Sequence, residues 1–259
     1  MKYLVALIIA AIMACTNQSM KAEPIELTER NAVVLKGEVS SKSMAELSYQ
    51  LSTNKQEKVY LFISSGGGSV FPGLKFVRFL KTLNKDVVCI ADIAGSMAFT
   101  IFQSCKTRYI MEDTLLMQHV SSYQLAGQEP NNYRFAKFMR KVAKFLLKLD
   151  AKQLNMSTKT LYNKVRDDWW LFGSEALEYN AADEVVSVKC ADSLATKTKT
   201  QTIRGMFASA TITWSKCPLI SAPVKIQSQI FGSPTKGAKE LKRLLKKLNP
   251  RKALLNRKK

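Results

Sequence analysis

An α/β domain with mostly parallel strands is the fold class the sequence predicts, and three observations predict it. Short runs rich in β-branched and aromatic residues recur, as in Val59-Tyr60-Leu61-Phe62-Ile63 and Val87-Val88-Cys89-Ile90-Ala91. Segments with helical apolar spacing lie between them, so strand and helix alternate. The strand runs are continuously apolar, as expected of strands covered on both faces.

In order, Ala32 to Leu35 reads as a strand that Gly37 turns, and Ser43 to Leu51 as a helix with Met44, Leu47 and Leu51 near one face. Ser43 and Glu46 have the spacing of a capping box at its start. The strand from Val59 to Ile63 runs into Ser64-Ser65-Gly66-Gly67-Gly68-Ser69-Val70. Glycines there let the backbone take φ > 0 and present N–H groups to something held close. A helix with Leu74, Val77, Phe79, Leu80 and Leu83 should follow, then the strand from Val87 to Ala91, then Ala94-Gly95-Ser96-Met97-Ala98-Phe99. A further helix and strand lead to Met117-Gln118-His119, which holds the single histidine of the chain.

Tyr133 to Leu154 is the longest periodic helix, with Phe135, Phe138, Met139, Val142, Phe145, Leu146 and Leu149 as an apolar stripe between solvated lysines. Met156 to Leu161 reads as a loop and helix cap. From Ser193 the composition turns to Thr, Ser and Lys, with a candidate strand at Thr211 to Trp214. Gly237 to Leu248 forms a basic amphipathic helix candidate that Pro250 stops.

The 259 residues suffice for one large core, and an apolar fraction of 46% argues against disorder. The net charge of +20 is unusual, yet Lys236 to Lys259 alone holds eleven Lys or Arg against one Glu. The basic excess is therefore partly a tail property, suited to a solvated tail, an anionic membrane surface or an oligomer neighbour. No specific nucleic acid is expected. Met1 to Cys15 has a short basic start and an apolar run with the proportions of a secretory signal. Ile12-Met13-Ala14-Cys15 resembles a lipoprotein processing site, which leaves a lipidated Cys15 and a soluble exported protein both open. The expected location is outside the bacterial cytoplasm, in the periplasm or anchored to a membrane.

Export would bring the other four cysteines into an oxidising compartment. Cys89–Cys105 and Cys190–Cys217 are the local pairings, among three connectivities that four cysteines allow. None has metal-ligand spacing, and one histidine leaves little for a zinc site. Neither metal nor cofactor is expected. The expected organisation is a signal over 1–22, with cleavage before Cys15 if lipoprotein-type, and a catalytic domain over 28–188. An extra segment over 189–232, β-rich and disulfide-linked, and a basic tail over 233–259 follow.

A serine hydroxyl becomes a useful nucleophile when a base takes its proton, and the base works better with its tautomer fixed by a third group. Ser96 has small neighbours and a strand-to-helix position, where a helix N-terminus adds positive potential. His119 is the one candidate proton shuttle. Spacing alone does not join them, because serine is also a common N-cap.

Five segments carry a resemblance that does join them. Val33-Val34-Leu35-Lys36-Gly37-Glu38-Val39 looks like the first strand and glycine turn of the Clp-type serine peptidases, peptidase family S14. Ser65-Gly66-Gly67-Gly68 resembles that family's Ser-Pro-Gly-Gly loop, with Gly66 in place of proline. Ala94-Gly95-Ser96-Met97-Ala98-Phe99 is similar to its nucleophile motif Ala-Ala-Ser-Met-Gly-Ala, and Leu116-Met117-Gln118-His119 to its Val-Met-Ile-His. Asp168-Trp169-Trp170-Leu171-Phe172-Gly173-Ser174-Glu175-Ala176 resembles Asp-Arg-Phe-Leu-Ser-Ala-Pro-Glu-Ala. The resemblance spans Asn31 to Val188.

It implies a Clp/crotonase-like ββα superhelical domain and a serine endopeptidase acting on peptides or unfolded proteins. On it Ser96 is the nucleophile, His119 the general base and acid, and Asp168 the residue orienting the imidazole. The backbone N–H groups of Gly68 and Met97 would form the oxyanion hole. Asp167 is the competing acid, disfavoured by the Glu175-Ala176 register. A homo-oligomeric ring is implied too, with the long helix resembling the family's handle between rings. An exported chain would meet neither ATP nor the family's ATPase, and Ala98 stands where the family has glycine. The alternative is a catalytically silent binding or assembly module on the same fold. Acyl-CoA chemistry of the crotonase type would need no Ser-His-Asp set, and no lysine sits in a motif for a Ser-Lys mechanism.

Overall fold

The computed structural model describes residues 23–246. Met1 to Cys15, the lipidation position itself and the tail beyond Lys246 lie outside those residues.

Strand β1 (Ile25–Leu27) precedes β2 (Ala32–Val39), helix α1 (Ser41–Thr53) and β3 (Lys58–Gly68). Helix α2 (Val70–Thr82), β4 (Asp86–Gly95), α3 (Met97–Gln103) and β5 (Thr107–Gln118) complete the alternating half. The central sheet runs β2-β3-β4-β5 with all neighbours parallel. Beyond α4 (Glu129–Gln153) and α5 (Thr158–Val165), β6 (Trp169–Phe172) closes the edge antiparallel to β5. The short α6 (Glu175–Glu178) leads to β7 (Glu184–Val185), which pairs with the outer part of β5. The fold is thus mixed α/β with mostly parallel strands.

Alternation along β3 splits its apolar run between two cores. Leu61 and Ile63 face the larger one, with Leu47 of α1, Phe76 of α2, Phe99 of α3 and Leu146 of α4. Phe62 faces a smaller one with Leu27, Ile90 and Leu194. That second face is covered by β1 pairing with β8 (Val188–Cys190) and by α7 (Asp192–Ala195).

Four local expectations are corrected. The cap of α1 is Ser40, whose hydroxyl accepts from Ser43 N while the Ser43 hydroxyl accepts from Ser40 N. Ser43 therefore closes the capping box instead of opening it. The Ser64 to Gly68 stretch is strand and not loop, because β2 and β4 on either side offer ladder partners. Helix α2 begins at Val70, so Pro72 and Gly73 lie in its first turn, where a missing N–H costs little. On α4 the apolar stripe is only partly buried: Met139 and Leu146 are inside, while Phe135, Phe138 and Phe145 are exposed.

Strands β9 (Thr198–Arg204), β10 (Ala208–Ser215) and β11 (Lys225–Ile230) form an antiparallel sheet of their own. Helix α8 (Pro234–Lys246) is tied to it by Glu240, whose carboxylate accepts from the N–H groups of Met206 and Phe207. A Cys190–Cys217 disulfide joins this region to β8, and Cys89–Cys105 links β4 to the end of α3. Glu29 binds both Lys197 and Lys216, and the Lys36 ammonium lies 4.8 Å over the Trp214 ring.

Candidate active site

Neighbouring parallel strands end side by side, and ligand sites collect at their carboxyl ends. Here β4 and β5 end in register, Gly95 opposite Met117, and Ser96 N donates to Met117 O at 2.8 Å. The residue after Gly95 is then level with the residues after Met117. Ser96 caps α3 with φ 54° and ψ −122°, a left-handed conformation uncommon for a residue with a Cβ. This turn lifts its hydroxyl off the end of the sheet, and His119 Nε2 lies 2.9 Å from Ser96 Oγ.

The tight packing of this turn comes from β3. A Cβ at Gly67 would lie 2.5 Å from Gly95 O and 2.7 Å from Ser96 Cβ, so only glycine fits there, and its φ is +91°. Gly68 and Met97 line the same cavity as Ser96 and His119.

Asp168 reaches the neighbourhood through the antiparallel β5–β6 ladder. Leu116 faces Leu171 and Gln118 faces Trp169, the last pair of the ladder, and one further step in the same register would set His119 opposite Asp168. Just beyond it Val120 N donates to Val165 O at 3.2 Å, so the two segments stay adjacent. Asp168 is exposed and takes a left-handed φ of 61° at the start of β6. Asp167 instead turns outward and pairs with Arg166 at 2.9 Å, both side chains largely exposed.

The cavity beside Ser96 holds about 350 Å³. Leu146, Leu147 and Val165 supply apolar wall, and Thr100, Gln118 and Asp150 a polar floor. Asp150, on α4, is 2% exposed. Its Oδ2 accepts from Gln118 Nε2 at 2.7 Å and from the Thr100 hydroxyl at 3.1 Å, while Oδ1 has no partner. Burial pushes its carboxyl from 3.8 up to about 7, against the two hydrogen bonds that favour the anion. Gln118 also accepts from the His119 N–H at 3.0 Å, so the floor is braced against the strand end that carries the imidazole.

The sequence reading missed Asp150, Gln118 and Thr100. A signal was there: Asp150 continues the Met139–Leu146 stripe at helical spacing, and an acid in an apolar stripe is either an error of register or a buried group with a task. Among the described residues no group of three or more His, Cys, Asp or Glu side chains is arranged to hold a metal ion, and no helix is long and apolar enough to cross a membrane.

The model of the Clp protease family matches residues 17–189, well over half of the chain. An ATP-dependent Clp protease proteolytic subunit from Borreliella afzelii (strain PKo) is 23% identical over 167 residues, covering 62% of this chain and 85% of that relative.

Proposed function

The chain belongs to the Clp protease family, and from that premise we propose that it is a serine endopeptidase working through Ser96, His119 and Asp168. The observation that carries the reading is the 2.9 Å approach of His119 Nε2 to a serine hydroxyl held in a left-handed turn. In the resting state the Ser96 hydroxyl donates to His119 Nε2. As Ser96 Oγ bonds to the substrate carbonyl carbon, its proton passes to that nitrogen. The carbonyl oxygen becomes an anion, which the N–H groups of Gly68 and Met97 would receive from the cavity wall.

Collapse of this intermediate breaks the C–N bond, and the imidazolium gives its proton to the leaving amine. Water then enters, loses a proton to His119 and releases the acyl group from Ser96. Asp168 would hold the imidazole in the tautomer that leaves Nε2 unprotonated, a role supported by the β5–β6 register and by the family resemblance. A fluorophosphonate probe should label the native protein at Ser96, and Ser96→Ala should abolish labelling. An unlabelled native protein with intact disulfides would refute the reading.

Assembly and location follow as parts of the same proposal. The exposed aromatic face of α4, with Phe135, Phe138 and Phe145, supports a homo-oligomer that covers it. Two disulfides fit an oxidising compartment and support export. A monomer by light scattering, or an intact N-terminus by mass spectrometry of protein from its native host, would count against these parts.

A further inference from the structure

The polar floor of the cavity is unlike its apolar walls, and its chemistry points to one kind of side chain. Thr100 stands one turn of α3 beyond Ser96, its N–H donating to Ser96 O at 3.2 Å. One turn advances about 5.4 Å, and the Thr100 hydroxyl then donates to Asp150 Oδ2 at 3.1 Å. The carboxyl is therefore deeper than a short substrate side chain could reach from Ser96, and suits a long one.

Asp150 has one oxygen satisfied twice and the other not at all. A buried acceptor without a donor is costly, and such an atom in a native protein calls for a donor the protein itself does not supply. Among the described residues no lysine or arginine forms an ion pair with it; Lys144 and Glu38 also line the cavity, and both are exposed. A substrate ammonium or guanidinium on an apolar stem would fit this arrangement: methylenes against Leu146, Leu147 and Val165, the charge on Oδ1.

Building on the peptidase reading above, we propose that Asp150 is its specificity determinant, receiving the lysine or arginine side chain whose carbonyl Ser96 attacks, so that cleavage follows basic residues. A buried aspartate at the base of the corresponding pocket has this effect in trypsin, where an apolar slot in chymotrypsin selects aromatic residues. Gln118 and the Thr100 hydroxyl act as positioning residues, fixing Oδ2 so that Oδ1 is left to the substrate.

The test uses quenched-fluorescence peptides that differ only at the residue before the cleaved bond, with lysine, arginine, leucine or alanine there. The expected result is a kcat/KM higher for lysine and arginine than for leucine by about tenfold or more, a ratio that Asp150→Asn collapses. Labelling by a fluorophosphonate without a side chain separates the two readings. Reactive Ser96 with a preference for leucine, or a ratio that Asp150→Asn does not move, overturns the specificity and leaves the peptidase. If Ser96 does not react at all, the peptidase reading falls, and benzamidine then decides about the pocket. A thermal upshift with benzamidine in wild type that is lost in Asp150→Asn upholds a basic-side-chain site; no upshift in wild type overturns it.

Discussion

Replacing Asp150 by asparagine also isolates what burying this carboxyl does to stability. The folded protein holds the acid's pKa at about 7, against 3.8 for the ordinary group. Between those values the folded chain keeps a proton that the unfolded chain has released. Stability from this site is therefore fully present below about 4 and is lost as pH rises through about 7. At about 1.4 kcal/mol per pH unit, the displacement corresponds to at most about 4 kcal/mol of stability lost between acid and alkaline pH. Asparagine has no such proton to lose. It can still accept from Gln118 and Thr100, and its amide donor stands where the protonated carboxyl has its O–H at low pH, so its own contribution does not vary with pH. Urea unfolding of both proteins, disulfides intact and at one protein concentration, should show wild type losing stability relative to Asp150→Asn as pH rises from 5 to 8. Glu29 and Glu240, whose carboxyls are held low by Lys197 and by the Phe207 N–H respectively, act in the opposite direction but are common to both proteins and cancel. A difference that stays flat from pH 5 to 8 would refute the reasoning.

Three further outcomes are expected. Ser96→Ala and His119→Ala should each cost nearly as much peptidase turnover as the double variant, since each disables one shared proton transfer; Asp168→Asn should lower turnover by a factor on the order of 10⁴, and Asp167→Asn should change it little. Gly67→Ala should slow fluorophosphonate labelling and lower the melting temperature, because its Cβ would press within 2.5 Å of Gly95 O at a φ of +91°; unchanged labelling would show that the turn at Ser96 tolerates displacement. Removing the Cys190–Cys217 bridge, which spans 27 residues, should destabilise the C-terminal sheet by roughly 3–4 kcal/mol on chain-entropy grounds, read as earlier proteolysis within residues 198–246.

Much of the alternating half was legible because its signals are local. Runs such as Val59 to Ile63 can only be buried, and a sheet covered on both faces is where a continuous apolar strand belongs. The glycines after Ile63 misled in one respect: they mark a loop by propensity, yet β3 continues through Gly68, because β4 pairs with it as far as Ser65 and β2 as far as Gly68. The Ser40 cap was obscured by a second serine three residues on, and either could begin a helix until the extended backbone of Ser40 shows where the helix starts. On α4, periodicity marked an apolar face without saying how wide a strip the domain would cover. Met139 and Leu146 went in and Phe135, Phe138 and Phe145 stayed out.

The sequence by itself determined which residues could do chemistry: a serine among small neighbours, one histidine, and acids at 167 and 168. It did not bring them together except by resemblance. Tertiary structure decided that Ser96 and His119 meet, because β4 and β5 are in parallel register with Gly95 opposite Met117. It also set Trp169 opposite Gln118, so that Asp168 and His119 each stand one residue beyond the last pair of the β5–β6 ladder, and it tied Asp167 to Arg166. Asp150 became the floor of the cavity for the same reason. A helix sequence carries the angular position of each side chain, but which angle faces a neighbouring cavity depends on how the helix is docked. That docking rests in part on contacts from α3 and β5, whose Thr100 and Gln118 hold Asp150 from 50 and 32 residues away in the chain.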